Sequence, residues 1–248
     1  MSQAIATSAA MYRDDAYLRE CTARIVSVSP DGIGLDRTVF YPLGGGQAAD
    51  RGTLTRGDGL VVAIADTRKS KAPGAGPDAA LHLPAQESLE PASRLRVGDE
   101  VVAAIDWTRR HRHMRLHTAT HLMCALVPYP VDGCSITADY ARLDFATVEP
   151  LDRDALQAGL ARLVSGAHPV ASDWITDEAL QAQPELVRTM SVKPPIGFGR
   201  VRLLRIDGVD LQPCGGTHVA NTAEIGALRI AKIEKKSART RRVVLEFA

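Results

Sequence analysis

The chain lacks the features that mark several common protein classes. Its four cysteines, at positions 21, 124, 134 and 214, form no C-x-x-C pair, which excludes a disulfide framework and predicts reduced thiols. No apolar run approaches the roughly 20 residues that a membrane helix needs. The first ten residues lack the basic start and the apolar stretch of a signal peptide. We therefore expect a soluble, cytoplasmic protein without membrane contact.

Charge and aromatic content exclude two classes of nucleic-acid binder. Thirty Lys and Arg residues against 29 Asp and Glu residues leave a net charge of +1, so any nucleic-acid contact must come from a local basic patch. Four Phe, two Trp and five Tyr are too few for a protein that stacks successive bases on aromatic rings. At roughly 150 residues per domain, the 248 residues form one large domain or two modest ones.

The pattern of apolar and turn residues changes near residue 105. Before it, short apolar runs separated by Gly/Asp turns predict a small antiparallel β-barrel or sandwich. Within that part, residues 69–91 are rich in Pro, Ala and Gly and predict a long surface loop. We therefore expect an N-terminal β-barrel domain over residues 1–105 that contains a Gly-rich loop.

The remainder, residues 106–248, predicts an α+β domain. Helical spacing predicts one helix over 109–127, ended by Pro128, and a second over 152–167, capped by Asp152 or Asp154. Strands are predicted over 201–206, 228–233 and 242–247. The fold class expected for the whole chain is therefore α+β.

Two pairs of side chains predict a metal site. His117 and His121 are four residues apart in the predicted helix, so both imidazoles share one face, although such pairs are more often solvent-exposed or part of a core. Cys214 and His218 repeat the spacing around two glycines, which favour a loop. Three imidazoles and a thiolate suit tetrahedral zinc, and we expect one ion per chain. The alternative is a tight turn that contains a buried cysteine and a polar histidine.

The residue after the first histidine excludes one zinc mechanism. Metalloproteases with an HExxH helix use the glutamate in that motif as the general base. The corresponding residue here is Thr118. The peptidase mechanism therefore lacks its base.

A Gly-rich segment predicts a loop whose backbone can approach a ligand. It consists of Gly44, Gly45, Gly46 and Gln47. Glycines permit close approach, and the glutamine amide both donates and accepts hydrogen bonds. The segment lacks the Lys-Ser/Thr ending of a P-loop, and a flexible hairpin loop is the alternative interpretation.

Two basic runs predict contact with phosphate groups. Between Arg229 and Arg242, seven basic residues accompany the single acid Glu234. A shorter cluster precedes His117 at the start of the first predicted helix and contains Arg109, Arg110, Arg112 and Arg115. Because both runs lie beside the predicted metal ligands in sequence, we favour phosphate contact over the alternative of solvated faces.

Together these motifs resemble the editing domain of alanyl-tRNA synthetase and, more closely, the freestanding AlaX editing proteins. The family's HxxxH motif stands at 117–121, its CxxxH motif at 214–218 and its Gly-rich loop at 44–47. Further similarities are Asp50-Arg51-Gly52, Ile105-Asp106-Trp107 and Arg142-Leu143-Asp144-Phe145, whereas Leu43 and Ala48-Ala49 depart from the family pattern. The resemblance covers roughly residues 38–247 and shows no class II aminoacylation core.

The resemblance implies a zinc-containing deacylase that acts on mischarged tRNA(Ala). Its substrate would be Ser-tRNA(Ala), with Gly-tRNA(Ala) as a second candidate, and a monomer is favoured. A site that selects serine must hydrogen-bond its hydroxyl, so the candidate catalytic residues are Gln47, Thr118 and Thr217. The candidate substrate-binding residues are Gly44, Gly45, Gly46, Gln47, Arg142, Asp144, Lys235, Lys236 and Arg241. The candidate metal ligands are His117, His121, Cys214 and His218.

Two other functions stay open at this point. The zinc could be structural in a tRNA-binding module without catalysis, or the chain could be a zinc hydrolase of small esters or amides. Four protein ligands would complete a tetrahedron, which favours a zinc that positions the substrate over one that carries the attacking hydroxide.

Overall fold

The computed structural model describes residues 8–188 and 199–248. Most of the N-terminal segment that lacks signal-peptide features, residues 1–7, lies outside the described residues. The chain forms two compact units. The first reaches Gly44 and resumes over Ala48–Arg110, and the second comprises Gly45–Gln47 and His111–Ala248. The Gly-rich segment is therefore divided between the two units after Gly44.

The first unit is a closed antiparallel β-barrel of six strands, which confirms the barrel predicted from the turn-rich sequence. Strands β2, β3, β7, β6, β5 and β8 close it in that order, and β1 pairs with β4 in parallel. Side chains such as Ile25, Leu35, Leu54 and Val62 fill its core. The elements are β1 (Ala9–Ala10), β2 (Glu20–Ser29), β3 (Gly32–Leu35), β4 (Arg37–Thr38), β5 (Gly52–Arg56), β6 (Val61–Lys69), β7 (Ala80–Pro84), α1 (Leu89–Ser93) and β8 (Glu100–Ile105).

The surface loop predicted over residues 69–91 is wrong in its second half. Only residues 70–79 connect two strands, because β7 pairs with both β3 and β6 and α1 follows it. His82 of β7 is fully buried, and its Nδ1–H group donates to the carbonyl oxygen of Ile33 at 2.9 Å. Without β7, the β3 and β6 edges would carry unpaired backbone groups. The sequence did not predict this short strand because the Pro- and Ala-rich composition around it is typical of a loop.

A buried ion pair in the first unit corrects another prediction. Arg110 is fully buried, and its Nε atom donates to both carboxylate oxygens of Asp50, at 3.1 and 2.9 Å. The same guanidinium donates to the carbonyl oxygens of Ala16 and Val39. The basic cluster on this helix predicted a phosphate contact for Arg110, but the buried side chain cannot make one. Its guanidinium instead donates hydrogen bonds to buried oxygen atoms of the protein.

The second unit has the α+β composition that the sequence predicts. Its sheets have the orders β14-β15-β10-β9 and β11-β12-β13, with antiparallel neighbours. The elements, starting with the helix that crosses the unit boundary, are α2 (Trp107–Leu126), β9 (Val131–Ile136), β10 (Tyr140–Ala146), α3 (Arg153–Ser165), β11 (Val170–Thr176), α4 (Asp177–Gln181), β12 (Arg200–Ile206), β13 (Asp210–Pro213), β14 (Leu228–Ser237) and β15 (Thr240–Phe247).

The two predicted helices are confirmed with small changes in their ends. Helix α2 buries Met114, Leu122 and the metal-site histidines, as helical spacing predicts. Helix α3 is capped by Asp152, whose carboxylate accepts from the backbone N–H groups of Asp154 and Ala155. The three predicted strands correspond to β12, β14 and β15, whereas β9, β10, β11 and β13 were not predicted.

Two further properties concern the chain as described. All four cysteines are free. Within residues 8–188 and 199–248, no helix is long and apolar enough to cross a membrane.

Candidate metal centre

Four side chains of the second unit form a compact cluster suited to a metal ion. His117 and His121 come from α2, and Cys214 and His218 come from the loop that follows β13. Their ligand atoms all lie within 4.8 Å of one another. The Cys214 Sγ atom lies 3.5 Å from Nε2 of His117 and 3.2 Å from Nε2 of His218. A tetrahedral zinc site places sulfur and nitrogen ligands about 3.6 Å apart, so these residues fit the ion.

The loop reaches the helix so closely that it requires glycine at position 216. A Cβ atom on Gly216 would lie 2.1 Å from Cε1 and 2.4 Å from Nδ1 of the His117 ring. The backbone N–H of Gly216 also points toward Cys214 Sγ, at 3.5 Å. The absence of a side chain thus lets the main chain pack against one ligand while it supports another.

Each histidine of the cluster uses its Nδ1–H group for a hydrogen bond outside the cluster. His117 donates to Oε1 of Gln47 at 2.7 Å, and His121 donates to Oδ2 of Asp210 at 2.9 Å. His218 donates to Oγ1 of Thr118 at 3.2 Å. In a neutral imidazole, these bonds select the tautomer that leaves Nε2 unprotonated. Such outer hydrogen bonds orient metal-bound imidazoles, and they support the assignment of all three as ligands.

The ionisable groups of the cluster perturb one another. Burial by itself raises the pKa of the Cys214 thiol, but nearby His117 and His218 hold that pKa well below its usual value. Burial lowers the pKa of His218 well below its usual value, and the neighbouring His117 adds to this effect. Burial also lowers the pKa of His121, but hydrogen bonds to Asp210 and Cys214 outweigh it and raise that pKa to about 9. Without a metal, the cluster therefore favours a thiolate beside a protonated His121.

The Gly-rich segment reaches the cluster through Gln47. Gly45 and Gly46 have φ of 60° and 84°, and a Cβ on Gly46 would lie 2.9 Å from the carbonyl oxygen of Cys134. The carbonyl of Gly46 accepts from the N–H of Ile136 at 2.7 Å, which attaches the segment to β9. Gly44 belongs to the first unit, where its carbonyl accepts from the Tyr41 hydroxyl. Left-handed backbone at two positions thus turns Gln47 inward.

The three candidate catalytic residues are buried, and each forms hydrogen bonds to the cluster or to the residues around it. Gln47 Nε2 donates to Oγ1 of Thr217 at 2.9 Å, and the N–H of Thr217 donates to Gln47 Oε1 at 3.1 Å. Thr118 Oγ1 donates to the carbonyl of Met114 and accepts from the N–H of Val219. The structure therefore brings Gln47, Thr118 and Thr217 to the ligands, where they hold ligand rings and loop backbone.

Three of the candidate substrate-binding residues meet at a buried carboxylate. Asp144 of β10 is 1% exposed and accepts from Arg242 Nε and Lys236 Nζ, both at 2.8 Å. Arg142 Nη1 lies 3.9 Å from the same carboxylate. Burial raises the pKa of Asp144, but Arg242 and Lys236 outweigh it and hold that pKa below its usual value. The carboxylate thus stays charged and orders a group of cations whose outer parts remain exposed.

The rest of the basic run between Arg229 and Arg242 is partly neutralised. Arg229 pairs with Glu246, Lys232 pairs with Glu234, and Arg241 donates to backbone carbonyl groups that include that of Val148. Lys235, opposite Arg241 in the β14–β15 ladder, forms no ion pair with any described residue. The number of positive charges free to meet a phosphate is therefore smaller than the sequence suggests.

The shorter arginine cluster on α2 is also engaged within the protein. Arg112 and Arg115 both lie over the ring of Phe247, each guanidinium carbon 4.3 Å from its centre. Arg115 Nε donates to the carbonyl of Ile225 at 2.8 Å, and Arg112 Nε donates to that of Ala138. These contacts indicate that the two side chains hold α2 against its neighbours.

Asp210 also belongs to this site, although no sequence motif predicted it. Its carboxylate is buried and accepts from His121 and from Gln212 Nε2, the latter at 2.7 Å, with Arg188 Nη1 3.7 Å away. An acidic residue four positions before Cys214 was the available indication. Its partner His121 lies 89 residues away in sequence, so the pairing follows from the fold.

Comparison with known proteins completes the description of the site. Residues 201–244, which include Cys214 and His218, match the family described as Threonyl and Alanyl tRNA synthetase second additional domain. The chain is 33% identical over 243 residues to an alanyl-tRNA editing protein AlaX-M of Methanosarcina barkeri, covering 94% of this chain and 96% of that protein. It is 31% identical over 242 residues to an alanine–tRNA ligase of Sulfurisphaera tokodaii, covering 91% of this chain and 24% of the ligase. It is 29% identical over 238 residues to an AlaX-L protein of Pyrococcus horikoshii, covering 92% of this chain and 55% of that protein.

Proposed function

Because the chain belongs to the AlaX family of alanyl-tRNA editing proteins, we propose that it hydrolyses the ester bond of tRNA(Ala) charged with serine, and secondarily with glycine. Alanyl-tRNA editing proteins are deacylases, and the choice of amino acid is our proposal. A pocket shaped for alanine rejects a residue of similar size only weakly, so a second, hydrolytic site is needed. We further propose that the protein acts as a cytoplasmic monomer.

One observation carries this proposal. The three imidazoles of the cluster each present Nε2 toward the same point, beside Cys214 Sγ, because Gln47, Asp210 and Thr118 accept from their Nδ1–H groups. A solvated or core histidine needs no such arrangement. Three oriented imidazoles and a thiolate are a donor set for zinc, and they occur in a chain related to AlaX-M over nearly its whole length.

His117, His121, Cys214 and His218 would hold one zinc ion. Zinc bound there would supply positive charge that orients the aminoacyl ester, and a separate water molecule would be the nucleophile. In the hydrolysis itself, a water oxygen adds to the ester carbonyl carbon and the bond from that carbon to the ribose oxygen breaks. The water loses one proton in this step, and the departing ribose oxygen takes up one proton, so the products are the free amino acid and tRNA with a free ribose hydroxyl.

The surrounding side chains would shape the position of the aminoacyl group. Gln47 fixes both the His117 ring and the Thr217 hydroxyl, and Thr118 fixes His218 and the backbone after it. Thr217 Oγ1 accepts from Gln47 and has its own O–H to donate, so it is our candidate for a bond to the serine hydroxyl. Gln47 and Thr118 then act on the substrate through the groups that they position.

The tRNA backbone would contact cations of β10, β14 and β15. Asp144 orders Arg142 and Lys236, and Lys235 forms no ion pair with a described residue. Arg241 lies opposite Lys235 in the ladder. A few exposed cations on one sheet suit a phosphate contact that depends on salt concentration.

The test is deacylation of matched Ser-, Gly- and Ala-tRNA(Ala), with and without a zinc chelator. We expect release of serine, slower release of glycine and little release of alanine. We also expect the chelator to abolish activity and added zinc to restore it.

Other results would identify the alternatives. Binding of tRNA without release of any amino acid would support a non-catalytic tRNA-binding module. Hydrolysis of small esters or amides that is not inhibited by added tRNA would support a small-molecule zinc hydrolase. Either result would refute the proposed function.

A further inference from the structure

We propose that Arg202 is a positioning residue of the metal centre. In this proposal it holds the loop of residues 214–218 in the conformation that brings Cys214 and His218 to the two histidines of α2. Arg202 lies in β12 and is buried, with 8% of its surface exposed. The inference rests on the proposed zinc site, and it adds a residue that carries no metal ligand itself.

Arg202 binds the loop at three points. Its Nη1 atom donates to the carbonyl oxygens of both Cys214 and Gly216, each at 3.0 Å. Its own carbonyl oxygen accepts from the N–H of Cys214 at 3.0 Å. The backbone groups on both sides of the Cys214 side chain are therefore bound to one residue, which fixes the direction in which Sγ points.

The loop needs an external partner because it contains two adjacent glycines. Glycine has more backbone conformations to lose on ordering than any other residue, so the segment is intrinsically mobile. Turned carbonyl groups in a buried loop also require donors, and a charged donor provides the stronger bond. Arg202 meets both requirements with one guanidinium group.

The site tolerates little displacement of this loop. A Cβ added to Gly216 would lie 2.1 Å from the His117 ring, so the main chain at Gly216 has no space to move toward the helix. Movement away from it would carry Cys214 Sγ away from Nε2 of His117, now at 3.5 Å. Ligand geometry must be held to about 0.5 Å, and the Arg202 contacts restrain the backbone on both sides of the Cys214 side chain.

The chain offers a matched control on the same strand. Arg205 is 46% exposed and pairs with Asp173 and Asp207 at 3.1 and 3.2 Å. Replacing it removes an arginine from β12 without removing a bond to the loop. Arg202→Met should therefore affect the loop, whereas Arg205→Met should not.

The experiment measures the rate at which zinc leaves the full-length, zinc-loaded protein in excess chelator. We expect Arg202→Met to release zinc about tenfold faster than the wild type. Loss of a hydrogen bond that supports a metal ligand typically lowers metal affinity by about 10–100-fold, and this value is at the low end of that range. Arg202→Lys should release zinc at an intermediate rate because lysine lacks the rigid planar fork. Arg205→Met should match the wild type.

A second measurement uses the folded, metal-free protein. Alkylation of Cys214, followed by peptide mass mapping, should be faster in Arg202→Met than in the wild type, while alkylation of Cys21 should be unchanged. Circular dichroism checks that each variant is folded. If Arg202→Met does not fold, Arg202→Lys decides the question.

The outcomes separate this inference from the proposed function. Wild-type rates of zinc release and of Cys214 alkylation in a folded Arg202 variant would overturn it. A wild-type protein that holds no zinc would overturn the metal site and this inference together. Faster zinc release from Arg202→Met in a protein that hydrolyses no aminoacyl-tRNA would support the inference and refute only the proposed function.

Discussion

Single side chains determine the geometry of the candidate metal centre, and Gly216 shows how little space they leave. An alanine Cβ at this position would lie 2.1 Å from Cε1 of His117, so the ring or the loop would have to move. We expect Gly216→Ala to weaken zinc binding by roughly 10–100-fold, measured by competition with a chelator of known affinity. Gly57→Ala is the control, because a Cβ on Gly57 meets no atom within 4 Å. Equal zinc affinity in the two variants would contradict the role assigned to this glycine.

Cys214 tests the ligand set directly. The metal analysis of purified wild-type protein should give about one zinc per chain, because four donors suit a structural-type tetrahedral site. Cys214→Ala should lose most of this zinc, whereas Cys21→Ala in the barrel should retain it. Retention of all the zinc by the Cys214 variant would refute the assignment.

Gln47 tests whether the network around the ligands selects the substrate. In Gln47→Ala, the N–H groups of His117 and Thr217 lose their shared acceptor and Thr217 Oγ1 loses a donor. We expect a three- to tenfold slower single-turnover deacylation of Ser-tRNA(Ala), which corresponds to about 0.5–1.5 kcal/mol for a neutral hydrogen bond. Gln47→Glu keeps the acceptor and should lose less.

Ala-tRNA(Ala) provides the reference reaction for this variant. If Gln47→Ala slows the hydrolysis of both substrates equally, Gln47 supports the general architecture of the site. If neither reaction changes, the placement of Gln47 in the functional site is wrong. Zinc content, measured on the same samples, separates a loss of metal from a loss of selectivity.

At the scale of secondary-structure elements, the β14–β15 hairpin presents the basic residues that we assign to the tRNA backbone. Lys235 forms no ion pair with a described residue, whereas Lys236 binds the buried Asp144. We expect Lys235→Ala to weaken tRNA binding and to reduce the dependence of log Kd on log salt by about one phosphate contact, and the Lys235→Ala/Lys236→Ala double variant by up to about two.

Arginine substitutions provide the control for the hairpin. Lys235→Arg/Lys236→Arg keeps both charges and should restore the affinity and the salt dependence. Unchanged affinity and salt dependence in the double alanine variant would show that this run is a solvated face. Because these measurements use binding alone, they do not depend on deacylation.

At the scale of the whole molecule, we expect zinc binding to depend on pH. Burial lowers the pKa of His121, but Asp210 and Cys214 raise it to about 9, so near pH 7 this imidazole is protonated in the metal-free chain. A zinc ligand must be neutral at the coordinating nitrogen, so binding releases that proton. Zinc affinity should therefore fall as the pH falls below about 9.

Calorimetric titration of the metal-free protein with zinc checks this coupling. Near pH 7, buffers of different ionisation enthalpy should report the release of about one proton or more per zinc. Asp210→Asn removes the carboxylate that raises the pKa of His121, and it should reduce the proton release. A zinc affinity that is constant between about pH 6 and 9 would contradict the coupling.

The sequence determined those features that depend on neighbouring residues. Helical periodicity predicted α2, and because one turn of helix brings i and i+4 together, it also predicted that His117 and His121 act jointly. The second four-residue spacing, around two glycines, predicted that Cys214 and His218 approach one point. Local pattern also predicted that either Asp152 or Asp154 caps the second helix, and the structure shows that Asp152 does.

Only the tertiary structure decided which partners these residues have. Gln47 meets Thr217 across 170 positions of sequence, and Asp210 meets His121 across 89. Arg110 belongs to a basic cluster in the sequence, but in the fold it is buried against Asp50. Residues 80–84 have a loop-like composition, but they form a strand because they pair within the closed barrel. Local propensity and spacing depend on a few adjacent residues and can therefore be read from the sequence. Burial and hydrogen-bond partners depend on distant segments that come together only when the chain folds.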